Sequence, residues 1–248
     1  MKRNISRSSF KGSLFLVFAI ALAGCRGGKI PSQTSNSEYS TSKRFVVGQI
    51  AQAEGRLSIN SYETKNAKAE VRTNGKDVSV RVNISFEKGG DTKLGARMIF
   101  PPVSVGTIEI TERATHVESK LLGVNKDMQT PQVLNTLFQN ALLGIVPPVY
   151  QLFGEEDFSQ FDMLLSADGK YVISRSAKDM SIVLRVNAND FTLAGMKVFS
   201  MGQTVDFDIK EYSDFSGPRL PSGLRVTSMA GKNDVGSIDI TIGDIKLK

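Results

Sequence analysis

Few residues in the sequence could make or break bonds, and their spacing is poor for it. The chain has one Cys and one His in 248 residues. One Cys excludes an intrachain disulfide, and one of each falls short of the ligands that a Cys/His zinc centre needs. His116 sits in the strand-like stretch Thr115-His116-Val117-Glu118, where a solitary imidazole reads as a surface or core residue rather than a base. Glu155-Glu156-Asp157 could in principle hold a hard cation, but adjacent acids lack the spaced ligands of a calcium loop, so a solvated turn is expected. No nucleophile elbow, glycine-rich phosphate loop or HExxH motif occurs. The chain is therefore expected not to be an enzyme and to use neither a cofactor nor a metal.

The chemistry the sequence does offer centres on Cys25. Lys2, Arg3, Arg7 and Lys11 precede the apolar run Leu14-Phe15-Leu16-Val17-Phe18-Ala19-Ile20-Ala21-Leu22-Ala23. That run is too short for a stable membrane span and has the form of a secretory signal segment. Its end, Leu22-Ala23-Gly24-Cys25, resembles the lipobox of bacterial lipoproteins, which implies that residues 1–24 are removed and Cys25 is lipidated with diacylglycerol. The alternative is a lone buried thiol beside an ordinary signal sequence. Two or three acyl chains anchor a protein stably where one does so marginally. By the same resemblance, Arg26 where an Asp would signal inner-membrane retention points to the periplasmic face of the outer membrane.

Removing residues 1–24 leaves 27 Lys plus Arg against 25 Asp plus Glu, a balance that gives no reason to expect nucleic-acid binding. Residues 26–43 are rich in Ser, Thr, Gly and Asn, and read with Cys25 as a flexible tether over 25–43. A hydrophobic content of 40% is too apolar for a disordered chain and is enough for one sizeable domain, placed at 44–248.

Within that domain, Phe45, Val46, Val47, Ile50, Ala51, Ala53 and Leu57 fit one face of a short helix. After Asn60 the period falls to two. Val78, Val80, Val82, Ile84 and Phe86 alternate with Ser79, Arg81, Asn83 and Ser85, and similar alternation recurs at Leu94–Phe100, Ile108/Ile110, Phe161–Leu165, Ile182–Val186, Val205–Ile209, Leu224/Val226 and Ile238–Ile242. Turns such as Gly89-Gly90-Asp91 and Asp168-Gly169 argue for antiparallel pairing. The count, about eleven strands, exceeds what an open sheet holds without curling, so the expected fold class is mainly β: a curved antiparallel half-barrel.

One segment departs from this pattern. Thr130-Pro131 offers an N-cap and a first-turn Pro, and Val133, Leu134, Leu137, Phe138, Ala141 and Leu142 recur at helical spacing before Gly144 and Pro147-Pro148 stop the helix. A single apolar-faced helix between two blocks of strands is expected to cover the concave face as a lid. The Gly144–Tyr150 stretch reads either as a hinge for that lid or as a helix stop with an apolar tail.

Three stretches resemble LolB, the outer-membrane receptor that is grouped with the periplasmic carrier LolA. They are Arg97 through Pro101-Pro102-Val103-Ser104-Val105 to Ile110, the lid stretch Leu134 to Gly144, and Tyr212–Phe215 with Leu220-Pro221, Leu224 and Ile238–Ile242. The arrangement is also similar to an uncharacterised family of Bacteroidota lipoproteins related to LolB. The resemblance covers most of residues 45–248. It implies a LolA/LolB-like fold and an acyl-chain groove lined by Val80, Val82, Ile84, Met98, Ile110, Leu184 and Phe207, roofed by Leu134, Leu137, Phe138 and Leu142. It also implies a membrane-insertion loop carrying Val103 and Val105, each yielding about 1 to 2 kcal/mol on burial in a membrane surface. The alternatives are a packed core for the first set and a hairpin whose prolines blunt a strand edge for the second.

The expected function is an outer-membrane lipoprotein that receives lipoprotein cargo from a periplasmic carrier and inserts it in the membrane. Its partners would be that carrier, the cargo and outer-membrane lipid, with no nucleic acid, and it would act as a monomer. The competing readings are a lipid or glycolipid binding module in envelope transport or sensing, and a scaffold of an envelope complex.

Overall fold

The computed structural model describes residues 40–54, 59–73, 76–98, 103–111, 114–119, 124–129, 134–147, 161–176, 180–200, 203–215, 217–230 and 233–247. The signal segment, Cys25, the stretch 26–39 and the acidic triplet 155–157 lie outside the described residues. After helix α1 (Ser40–Glu54) come β1 (Ser61–Thr73), β2 (Lys76–Glu87), β3 (Thr92–Met98), β4 (Ser104–Ile110), β5 (Ala114–Ser119) and β6 (Val124–Gln129). Helix α2 (Leu134–Leu143) follows, then β7 (Asp162–Leu165), β8 (Lys170–Ser176), β9 (Met180–Asn187), β10 (Leu193–Ser200), β11 (Gln203–Asp214), β12 (Arg219–Ala230), β13 (Asn233–Thr241) and the short β14 (Lys246–Leu247).

All the described strands form one antiparallel sheet in the order β6-β5-β4-β3-β2-β1-β13-β12-β11-β10-β9-β8-β7, with β14 on β1. Two meanders meet at the β1–β13 pair, where Val71 faces Ile238 and Ala69 faces Ile240. The two edges, β6 and β7, do not pair, so the sheet is open. It is nevertheless curled: Val117 of β5 and Ile173 of β8, near opposite edges, belong to the same buried cluster as Val82, Leu224 and Ile240 at the centre. The fold class is the expected one, with fourteen strands among the described residues where about eleven were read.

Alternation explains which face is which. Val80, Val82 and Ile84 are buried while Arg81, Asn83 and Ser85 look outward. The convex outer face is a lattice of ion pairs. Arg225 grips Asp239 through two hydrogen bonds, Nε to Oδ1 at 2.6 Å and Nη2 to Oδ2 at 2.9 Å, and Arg185 bonds Asp206 at 2.8 Å. The Arg225 hydrogen bond holds the Asp239 carboxyl below its ordinary range. A depressed folded-state value means that this contribution is fully present above the ordinary carboxylate range and is lost as pH falls through the lowered folded-state value. Asp239→Asn should therefore flatten the acid limb of a stability-against-pH curve while leaving its shape above neutrality unchanged, and an identical acid limb would contradict the assignment.

The helices differ from expectation in two respects. Helix α1 begins at Ser40, inside the stretch read as tether, where Lys43 Nζ donates to the Phe161 carbonyl at 2.6 Å and lies 5.4 Å from that ring's centre. Its Val46 and Ile50 also join the buried cluster of the inner face, so α2 does not cover that face alone.

Candidate functional site

Among the described elements, helix α2 lies in the connection between the two sheet edges, β6 and β7. That connectivity makes it the natural cover of the concave face. Leu137, Ala141 and Leu142 turn inward and are fully buried, and Phe138 packs tilted on Phe207 of β11 with ring centres 6.1 Å apart. The helix ends in a Schellman motif: Gly144 N–H donates to the Ala141 carbonyl, Ile145 N–H reaches Asn140 at 2.9 Å, and Gly144 takes a φ of 67°. A Cβ at Gly144 would stand 2.7 Å from the Tyr212 hydroxyl, so only glycine allows this approach.

Both ends of α2 are fastened. At the first end, two buried amides one turn apart grip the β2–β3 turn. Asn135 Nδ2 donates to the Gly90 carbonyl at 2.8 Å and Asn135 Oδ1 accepts from Thr92 Oγ1 at 2.7 Å. Gln139 Nε2 donates to the same carbonyl at 2.7 Å, and its Oε1 accepts from Gly89 N–H at 3.2 Å. At the other end, Leu193 N–H of β10 donates to the Gly144 carbonyl at 3.1 Å while Tyr212 of β11 donates its hydroxyl proton to the Leu193 carbonyl. Burial pushes the Tyr212 phenol above its usual pKa, so it stays a donor at every physiological pH. The helix is thus a strut between the two meanders.

Of the residues read as groove and lid, Val80, Val82, Ile84, Ile110, Leu137, Phe138, Leu142, Leu184 and Phe207 come together in one cluster, none more than 4% exposed. Met98 packs at its margin, half-buried. Leu134 is the first residue of α2, with its side chain outside the described residues. Leu224 and Ile240, expected as strand residues, share the same interior, as do Met196 and Leu193, which the sequence does not single out. These residues are closed to water. Among the described residues, two hydroxyls in this interior meet no hydrogen-bond partner: Tyr62 Oη, whose ring stacks on Phe86 at 5.0 Å, and Ser228 Oγ.

The loop reading needs one correction. Val103, at the described end of the β3–β4 hairpin, is 37% exposed, whereas Val105 is 3% exposed and is no part of a protruding loop. Strand β4 already begins at Ser104, and a register shift against β3 that skips Val105 between Gly106 and Ser104 turns it into the core, out of step with Ile108 and Ile110, with its carbonyl accepting from Ser119 Oγ. Residues 99–102 of the hairpin lie outside the described residues. His116 is on the outer face, its Nδ1 2.7 Å from Asp127 Oδ1 on β6.

Solved structures share this arrangement. A domain assigned to outer-membrane lipoprotein sorting from Vibrio parahaemolyticus is 7% identical, covers 83% of this chain and 93% of its own, and superposes with a TM-score of 0.51. The two chains share a fold. A DUF1329 family protein from Desulfovibrio piger has the same fold at 10% identity and a TM-score of 0.52, over 83% of this chain and 92% of its own. A LolA superfamily protein from Nitrosomonas europaea covers 83% of this chain and 93% of its own, at 11% identity and a TM-score of 0.49. No protein-family model matches the sequence, and no curated protein matches it. Among the described residues, no helix is long and apolar enough to cross a membrane.

Proposed function

We propose that the protein is an envelope lipoprotein, tethered by Cys25 to the periplasmic face of the outer membrane, that shelters acyl chains against its inner face and passes them to the bilayer. The observation that carries this reading is the continuous apolar face roofed by a helix that polar contacts hold at both ends. Those contacts lie outside the strand ladders, so α2 could be released without unpairing a strand. Opening exchanges α2 for an acyl chain against the same surface, so one apolar burial replaces another and no nucleotide is required. The stranded Tyr62 and Ser228 hydroxyls fit the ester linkages through which acyl chains join their head groups. The cargo is an acylated protein delivered by a periplasmic carrier.

A delivery assay tests it: a carrier loaded with labelled lipoprotein is mixed with liposomes bearing the full-length lipidated protein, and transfer of label to the bilayer is followed. Transfer is the expected outcome. No transfer, with the protein folded and acylated, would contradict the receptor reading. Val103, the exposed apolar residue of the β3–β4 hairpin, is expected to touch the bilayer during release. Val103→Glu should cut delivery several-fold and leave the melting curve in place, because the side chain has few core contacts to lose. Equal delivery by the variant would remove this hairpin from the mechanism.

A further inference from the structure

Most arginines on the convex face are neutralised. Arg72, Arg185, Arg219 and Arg225 each reach a carboxylate, the closest at 2.6 Å. Arg81 and Arg97 do not. They stand directly opposite each other on β2 and β3, an arrangement that costs stability in an antiparallel pair. Neither meets an acid among the described residues; both are held instead by Asn66. Arg81 Nη1 donates to the Asn66 carbonyl at 2.9 Å and Arg97 Nη2 to its Oδ1 at 3.1 Å, while Asn83 Oδ1 fixes the Asn66 N–H at 2.9 Å.

The holder is itself a special feature. The β1–β2 register shifts between Thr64 and Ala67, and Asn66 takes a φ of 60°, a conformation that Asn tolerates better than most residues. Such a bulge re-aims side chains, here that of Asn66 toward the two cations on the neighbouring strands. Lys68, which faces Arg81 on β1, has its own charge met by Glu70 at 2.6 Å. Arg97 is in turn opposite Ser104, the residue next to the exposed Val103 of the β3–β4 hairpin.

We propose that Arg81 and Arg97, braced by Asn66, form an oxyanion-binding site for the phosphate of an anionic lipid head group, beside the hairpin that meets the bilayer. Paired guanidinium forks with spare donors match phosphate oxygens, and each still has N–H groups that Asn66 does not use. An apolar side chain next to unpaired cations fits a lipid surface, where the one enters the acyl boundary and the others meet the head groups. The inference rests on the membrane-receptor reading only in taking a lipid as the source of the phosphate.

The test uses the mature chain, residues 25–248 with Cys25→Ser, so that neither an acyl anchor nor the apolar run 14–23 masks weaker association, and vesicles of phosphatidylcholine with or without phosphatidylglycerol. Partitioning of the parent chain should rise with phosphatidylglycerol. The Arg81→Gln/Arg97→Gln double variant should lose about fivefold per charge removed. Its melting temperature should not fall, since a like-charge contact is relieved. Asn66→Gly, which keeps both charges and the backbone conformation but removes the Oδ1 brace, should show an intermediate loss. Partitioning of the double variant equal to that of the parent would overturn the proposal. So would arginine-dependent binding of inorganic phosphate with no arginine-dependent vesicle binding, which would assign the site to a soluble phosphate. Delivery of acylated cargo is read separately: vesicle binding without delivery would count against the receptor and leave this site standing, and delivery by the double variant at parental vesicle affinity would do the reverse.

Discussion

Replacing Asn135 and Gln139 together with alanine should free α2 from the β2–β3 turn and raise the binding of an apolar fluorophore several-fold under native conditions. The substitutions strand the Gly90 carbonyl and the Gly89 N–H and take from Thr92 its amide partners, all groups that α2 now satisfies. Each buried polar group left unpaired costs about 1–3 kcal/mol. The helix keeps its apolar contacts through Leu137 and Phe138 and its tie to Leu193, so the expected result is a loosened cover on a folded sheet. Hydrogen exchange should show the amides of 134–143 opening faster while those of β12 and β13 stay protected. Exchange that accelerates equally across the sheet would mean that α2 is an inseparable part of the core. That outcome would weaken the lid reading.

Phe207→Ala should be the most destabilising single change at the inner face. Phe207 is fully buried in the middle of β11, between Met196 on one neighbouring strand and Val226 on the other, with Phe138 of the lid packed on its ring. Deleting such a ring from a packed interior costs about 3–5 kcal/mol, and in a chain of this size that lowers the melting temperature by roughly 10 °C. Phe207→Leu, which retains most of the volume, should cost under half as much. Equal melting of the alanine variant and the parent would show that the space around Phe207 is not packed as described.

Much of this interior was legible from the residues because a strand with one dry face writes its period into the sequence. Val80-x-Val82-x-Ile84 and Ile182-x-Leu184-x-Val186 leave no other assignment of faces, and both sets are buried as read. Strand β10 was harder. Its Leu193-Ala194-Gly195-Met196 run breaks the alternation with a bulge between Leu193 and Gly195 that puts extra residues inside. Strand β6 is an edge strand of mostly polar residues and carries almost no signal. The start of α1 was hidden because its first turn, Ser40-Thr41-Ser42-Lys43, is polar like the tether before it, and its anchor is a long-range contact to Phe161.

At the site itself, the apolar members were readable and the fastening was not. Asn135 and Gln139 look like solvent-facing amides until their spacing of four on an otherwise apolar helix face is set beside the Gly89-Gly90 turn. Only the fold places those two segments together. Val105 shows the opposite error, since an apolar residue near a proline-rich loop was assigned to the loop when the strand had already resumed. The Arg81–Arg97 pair could not be seen as a pair without the β2–β3 register, because fifteen residues of chain lie between them.

The account stands on acyl chains occupying the inner face, and site-resolved photolabelling tests that most directly. Liposomes bearing the full-length lipidated protein would receive a lipoprotein whose acyl chain carries a diazirine, followed by irradiation and peptide mapping. The account predicts adducts on inner-face residues, among them Ile84, Leu142, Leu184, Met196 and Phe207. Adducts confined to the convex face, or none while the same cargo labels its carrier, would contradict it.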